Sequence, residues 1–308
     1  MFLLLKYTLL YTVVLMMVAL GGMFSERSGI INIALEGIMV IGGLMGVIAT
    51  QLMPAGWSAF AIVAVSVLAA AIAGMVYAGL LAFASINLNA DQTIGGTALN
   101  LLATALAMVI AKGVNHSASA KLDYSNRAFI YDFGPLTVNV FLFIGLVALI
   151  LSYIVLYKTR LGLRLRACGE HPQAADSDSL GINVYKMRYI GVLISGVLGG
   201  IGGMAYIIPS VSSWNFEVGV SGAGFLALAV MIFGQWKPFR IFLAAVFFAL
   251  FKSLANIASS IPFLAELGWT QNMYNMIPFI ASMIILAFTS KKSRAPKAEG
   301  IPYDKGQR

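Results

Sequence analysis

The sequence predicts an all-α integral membrane protein, and three observations carry that class. The 308 residues are 60% apolar and only 10% charged, with a mean hydropathy of +0.88. A soluble domain is about a quarter charged. Apolar runs recur at roughly the 20-residue length that crosses a bilayer. Within those runs apolar residues are continuous, not alternating as in the strands of a membrane barrel. About nine spans follow, near 7–23, 30–50, 58–85, 96–111, 137–157, 189–208, 221–235, 238–257 and 273–290.

The first run, MFLLLKYTLLYTVVLMMVALGG, has Lys6 as its only charge and no small-residue cleavage site. It reads as a retained span, not a signal peptide. Next, GGMFSERSGIINIALEGIMVIGG (21–43) opens with a tight polar turn of Ser25, Glu26, Arg27 and Ser28. Asn32 and Glu36 then stand four apart, on one helix face. A carboxylate inside a span is costly and faces a bundle interior or a cavity. Glu36 is therefore either part of a polar pathway or a structural hydrogen-bond hub.

In SINLNADQTIGGTALNLL (85–102), Asp91 and Gln92 precede a helix start, which can hold a polar ligand or be capped. Asn100 lies further along it. The spans at 96–111 and 221–235 are short, and each follows a Gly-bearing polar stretch, DQTIGG or FEVGVSG. Both are expected to be broken helices set inside the protein. Gly42, Gly43, Gly46, Gly199, Gly200, Gly202 and Gly203 read as sites of close helix approach. Trp214 and Phe216, in PSVSSWNFEVGVSGAGF (209–225), form either an interfacial aromatic belt or an outer mouth that meets a planar solute. Lys252 and Asn256 share a face of FKSLANIASS (251–260). The lysine there needs a partner or a route to the surface.

Basic residues set the orientation. Arg27, the 158–188 loop, Lys237 with Arg240, and the 291–308 tail fall on one side if the N-terminus lies outside. Fifteen of the 20 Lys and Arg residues then face the cytoplasm. The net charge of +8 is thus a topology signal, and nucleic-acid binding is not needed to explain it. Four spans precede 137–157 and four follow it. The odd central span inverts the second group, which predicts inverted repeats. The boundaries are repeat 1 at about 7–111, a linking span at 137–157, a loop at 158–188, repeat 2 at about 189–290 and a tail at 291–308. All belong to a single domain, 1–308.

Cys168 is the only cysteine, which excludes an intrachain disulfide or a cysteine zinc cluster. His116 and His171 lie in polar segments, and no metal site is expected. No Walker A loop, dinucleotide glycine loop, HExxH pair or Ser–His–acid set is present. No catalytic residue is assigned, and the energy for any active transport must come from another polypeptide or an ion gradient.

The polar stretch between the fifth and sixth spans reads KTRLGLRLRACGEHPQAADSDSLGINVYKMR (158–188). Its small alanines, Pro172 and Gly181 suit either a short docking helix or a solvated loop. The pattern from Gly162 to Ile182 resembles the cytoplasmic loop of permeases of the ribose/branched-chain amino acid ABC-importer superfamily. FSERSGIINIALEGIMVIGG (24–43), DQTIGGTALNLLA (91–103) and GVSGAGFLALAVMIFGQWKP (219–238) are similar to its nucleoside/simple-sugar branch. The likeness covers roughly 10–290.

This resemblance implies a permease in a bacterial plasma membrane, N-terminus outside and C-terminus cytoplasmic. The implied partners are a second permease subunit, an ATPase that carries ATP and Mg, an extracytoplasmic solute-binding lipoprotein and membrane lipid. No cofactor is implied in this chain. It further implies ATPase coupling through Arg166, Gly169, Glu170, Pro172, Ala174, Ala175, Gly181 and Ile182. Glu170, Ala174, Ala175 and Gly181 are expected to form the docking face, with Cys168 a packing residue. Pathway or structural polar-core roles fall to Asn32, Glu36, Asp91, Gln92, Asn100, Trp214, Phe216 and Asn256. The implied solute is a nucleoside, with branched-chain amino acids or ribose-like sugars as the alternative. An ion-coupled carrier and a non-transporting assembly subunit are the other readings.

Overall fold

The computed structural model describes residues 2–54, 56–133, 136–176, 181–258, 269–289 and 295–305. Its helices are α1 (Phe2–Arg27), α2 (Leu35–Leu52), α3 (Ala59–Ile86), α4 (Gln92–Asn115), α5 (Val140–Lys158), α6 (Arg160–Glu170), α7 (Pro172–Ala175), α8 (Val184–Ile207), α9 (Ala223–Phe233), α10 (Pro238–Ile257) and α11 (Gln271–Thr289). Among the described residues, seven helices are long and apolar enough to cross a membrane: α1 to α5, α8 and α10. The class is all-α membrane protein. The count of nine is not reached on that measure, because α9 has only 11 residues and α11 is not among the seven.

Starts of helices follow local chemistry. Ser58, Asp91, Asn139, Thr159 and Asn183 each accept a backbone N–H of the following first turn. Each thereby satisfies at least one of the donors a helix start leaves open, and Asp91 satisfies two. One expectation fails here. The span at 96–111 is not short: α4 runs 24 residues without a break. Gly96 is in the helix for contact, since a Cβ there would lie 3.1 Å from Ile33 Cβ and 3.2 Å from Ala34 N. The expected break lies instead in the chain that packs on it. Residues 28–34 are non-helical and mostly buried, and α2 begins only at Leu35.

The centre is α1 packed against α8. The α2 helix lies against α8 at distances only glycine permits. A Cβ on Gly203 would fall 1.9 Å from Met39 O, and one on Gly42 would fall 2.2 Å from Gly200 Cα. Helix partnerships pair off: α3 packs on α8 and α10 on α1, α2 on α8 and α9 on α1, α4 on α2 and α3, and α11 on α9 and α10.

The two ends of the bundle differ. At one, β1 (Lys121–Asp123) pairs antiparallel with β4 (Ser213–Asn215), with Leu122 opposite Trp214. Gln51 Nε2 donates to Asp123 O, Tyr124 Oη donates to Ile207 O, and Lys6 sits beside Thr137 and Pro209. A hairpin of β2 (Ile130–Phe133) and β3 (Leu136–Asn139) lies in the same connection. At the other end the α1–α2 turn, α6, α7, the α9–α10 turn and residues 295–305 meet. The segments grouped by basic charge thus share one end. Lys291, Lys292, Arg294 and Arg308 lie outside the described residues.

Candidate functional site

Two stretches of irregular backbone carry open amides, and polar side chains from other helices close them. Glu36, at the start of α2, reaches the start of α9. Its Oε1 accepts from Gly222 N at 2.8 Å and its Oε2 from Gly224 N at 2.7 Å. A carboxylate on a helix start meets both open donors and the positive end of the helix dipole. No side chain of the α9 segment caps it, since Gly222 is the N-cap residue. Its φ of +76° suits glycine.

The 28–34 stretch is braced in the same way. Asn100 Oδ1 accepts from Gly37 N at 2.8 Å, and Asn100 Nδ2 donates to Ile33 O at 2.9 Å. Gln92 Oε1 accepts from Ile31 N at 2.7 Å. Asn32 Nδ2 donates to Ser195 Oγ at 2.8 Å. Irregular backbone is stable at membrane depth only when its polar groups are satisfied this way. Asn32, Glu36, Gln92 and Asn100 therefore belong to one brace. Asp91 caps α4 through Thr93 N and Ile94 N, and Asn256 is exposed on α10.

Trp214 holds the α9 approach, its Nε1 donating to Gly219 O at 3.1 Å and its ring set edge-on to Tyr206 at 5.7 Å. Phe216 is fully buried and presents no ring to a mouth or to lipid. Beside the brace the wall is partly open. Glu36 and Thr104 are half-buried, and Ser221 is exposed. Thr104, Ser221, Tyr206 and Ser195 were not singled out in the sequence. Hydroxyls alone, without their partners, carry no signal there.

The second assembly is at the end that holds the 158–188 segment. Glu170 Oε1 pairs with Arg27 Nη1 at 3.6 Å. Arg27 Nη2 donates to Trp236 O at 3.3 Å, and Trp236 Nε1 donates to Glu26 Oε2 at 2.5 Å. One arginine thus links α6, the α1–α2 turn and the α9–α10 turn. Arg166 lies over the Tyr157 ring at 4.9 Å. The tail closes the assembly. Ala298 N donates to Gly169 O, Gly300 N to Gly29 O, and Tyr303 Oη to Asp176 Oδ2 at 2.6 Å.

The expected docking face of α6 and α7 divides. Ala175 is 2% exposed and packs with Cys168, Val184, Met187 and Tyr303. Glu170 is engaged by Arg27. Pro172 and Gly169 are buried, and Ile182 is half-buried with its N–H on Ala175 O. Ala174 and Gly181 are exposed, as are Leu163, His171 and Gln173. A four-residue helix that ends against α8 must turn one alanine inward, which the run of small residues did not reveal. Cys168 fills the packing place expected of it, and burial pushes its thiol up to about 11. Ser177–Leu180 lie outside the described residues.

Burial also raises the carboxyl of Glu299 to about 7, against the lowering effect of the nearby Arg27 charge. Among the described residues no group of three or more His, Cys, Asp or Glu is placed to hold a metal.

The model of the branched-chain amino acid transport system permease component family matches residues 4–287. A nucleoside ABC transporter permease protein of Lactococcus lactis subsp. cremoris is 40% identical, over 97% of this chain and 96% of its own. A guanosine ABC transporter permease protein of Bacillus subtilis is 39% identical, over 98% of this chain and 96% of its own. A more distant relative, a glucose ABC transporter permease protein of Haloferax volcanii, is 24% identical over 91% of this chain and 74% of its own. No solved structure matches.

Proposed function

This chain belongs to the family of permease components of branched-chain amino acid transport systems, and from that premise we propose that it forms half of the pathway of an ATP-driven importer for nucleosides. It is a multi-pass membrane protein and the permease subunit of an importer. The observation that carries the solute is the near-full-length identity of about two residues in five to relatives named for nucleosides and for guanosine. The glucose-named relative keeps a sugar as the second reading.

Permease subunits of this kind are not themselves enzymes. ATP and Mg act on a separate ATPase, a second permease completes the pathway, and an extracytoplasmic lipoprotein delivers the solute. The exposed side of α6 and α7, with Leu163, His171, Gln173 and Ala174, meets the ATPase. Its displacement passes through Glu170 to Arg27, and from Arg27 to the α1–α2 and α9–α10 turns. Those turns carry α2 and α9, whose starts Glu36 joins. A small shift at α6 thus tilts both helices at the brace and exchanges inward- and outward-open forms. The wall of half-buried Glu36 and Thr104 with exposed Ser221 lines the pathway. The paired helix contacts support two inverted repeats, about 7–111 and 189–290. The N-terminus lies outside and the tail in the cytoplasm.

Uptake of labelled guanosine, leucine and glucose by cells with and without the gene tests the solute. Guanosine uptake is expected to be lost alone. Loss of leucine or glucose uptake with guanosine uptake intact would replace the nucleoside.

A further inference from the structure

Lys158, Lys237 and Arg240 surround one open cavity of about 400 Å³ between the end of α5 and the start of α10. Among the described residues none of the three enters an ion pair. Arg240 Nη1 donates to Gln235 Oε1 at 2.8 Å, which orients its guanidinium. Three cations on one cavity repel one another, so the site favours a negatively charged occupant. The first turn of α10 opens at Pro238 in the same cavity and adds the positive end of a helix dipole.

The rest of the wall is aromatic. Tyr153 lies 5.5 Å from Tyr157 and 5.1 Å from Phe239, ring centre to ring centre. Aromatic rings beside lysine and arginine mark the depth of lipid headgroups. From this cavity two apolar flanks run toward the middle of the bundle. Leu146, Ile150 and Ile154 are exposed on α5, and Leu243, Phe247 and Leu250 on α10. In a membrane those flanks meet hydrocarbon.

We propose that this cavity binds the headgroup of an anionic phospholipid, whose acyl chains lie along the exposed flanks of α5 and α10. Charge complementarity selects the headgroup, and the apolar flanks continuous with the cavity select a lipid over a free anion. Basic pockets between helix ends at the membrane surface hold such headgroups. The bound lipid would neutralise the end of α10 that adjoins Trp236, and so would stiffen the turn on which Arg27 bears.

The test uses the full chain in phosphatidylcholine vesicles, with spin-labelled phosphatidylglycerol or spin-labelled phosphatidylcholine as the probe. The wild-type chain is expected to restrain phosphatidylglycerol severalfold more than phosphatidylcholine. Each cation contributes about a fivefold factor at most. The triple variant Lys158→Gln, Lys237→Gln, Arg240→Gln is expected to lose the preference. A control triple with the same charge change at the same end, Arg164→Gln, Lys186→Gln, Lys297→Gln, is expected to keep it. Equal loss in both triples would reduce the effect to general surface charge and overturn the site, as would no preference in the wild type. Inorganic phosphate, compared with chloride at matched ionic strength, is expected to leave the preference unchanged. Abolition by phosphate would make the free anion the ligand and overturn the lipid. If the triple variant does not fold, Lys237→Gln alone decides: a preference equal to wild type refutes the proposal, and a partial loss sustains it.

Discussion

Glu36 of α2 and Gly222 at the start of α9 are 186 residues apart in sequence, and a 2.8 Å hydrogen bond joins them. A second bond, from Gly224 N, completes a carboxylate clamp on the first turn of α9. Replacing Glu36 with Leu leaves two amides without acceptors. The expected cost is about 1–3 kcal/mol for each that stays buried. Glu36→Gln keeps one acceptor oxygen and should fall between. Thermal unfolding of the detergent-solubilised chain, measured beside uptake, checks the order: wild type, Gln, Leu. An unshifted transition for Glu36→Leu would reduce the clamp to a surface contact.

Gly203 faces Met39 O so closely that even a methyl group has no place. Gly203→Ala should destabilise the α2–α8 contact by about 1–3 kcal/mol through overpacking. Gly113→Ala, where the added carbon meets nothing within 4 Å, should be neutral or slightly stabilising, since alanine favours helix. Denaturant midpoints of the two variants separate packing from helix propensity. Equal midpoints would contradict the packing account.

Ala174 and Ala175 are adjacent but face opposite ways. Ala174→Arg should weaken ATPase co-purification and uptake while the chain alone stays as stable as wild type. Ala175→Arg should lower the stability of the isolated chain, since a long cation enters the cluster of Cys168, Met187 and Tyr303. Retention of both co-purification and uptake in Ala174→Arg would leave the exposed side of α7 without a partner.

Glu299 has its carboxyl raised to about 7 in the docked tail. Burial favours the neutral form, so docking binds a proton more tightly than release does. The contribution is therefore complete below the ordinary carboxylate range, near 4.5, and is lost as pH rises through about 7. Amide exchange at Ala298 and Gly300, corrected for intrinsic pH dependence, should quicken as pH rises from acid to mildly alkaline. Glu299→Gln should flatten that response. A steep response that persists in Glu299→Gln would assign the proton elsewhere.

Single cysteines introduced in a Cys168→Ser background report orientation. Positions in 112–135 should react with impermeant maleimide from outside, and positions in 158–188 only after permeabilisation. External labelling of the 158–188 segment would invert the assignment.

Much of the fold was legible, because span length is a property of composition alone and needs no partner. Asn32, Glu36, Gln92 and Asn100 were legible as chemistry, since polar groups in apolar runs must be satisfied. Their partners were not, because each lies on another helix, as far off as Gly224 is from Glu36. Gly95 and Gly96 suggest a break, and the helix runs through both. A glycine that admits a neighbouring backbone and a glycine that ends a helix look alike until the neighbour is known. The tail was read only as charge, although Ala298 and Tyr303 are buried in it. Two anchors among lysines give no periodic signal.

The short ladder of Lys121–Asp123 with Ser213–Asn215 has a mechanical meaning. It fastens the connection after α4 to the connection after α8 at one end of the bundle only. The 24 residues of α8 extend about 36 Å from that fastening at 1.5 Å per residue. The far end of α8 carries Val184 and Met187, which pack with Cys168 and Ala175 of the α6–α7 segment. A tilt of about 5° about the ladder carries the far end through about 3 Å, on the helix length just given. A tilt too slight to disturb two strands is therefore felt at the cluster of Cys168, Ala175 and Tyr303 on which that far end packs.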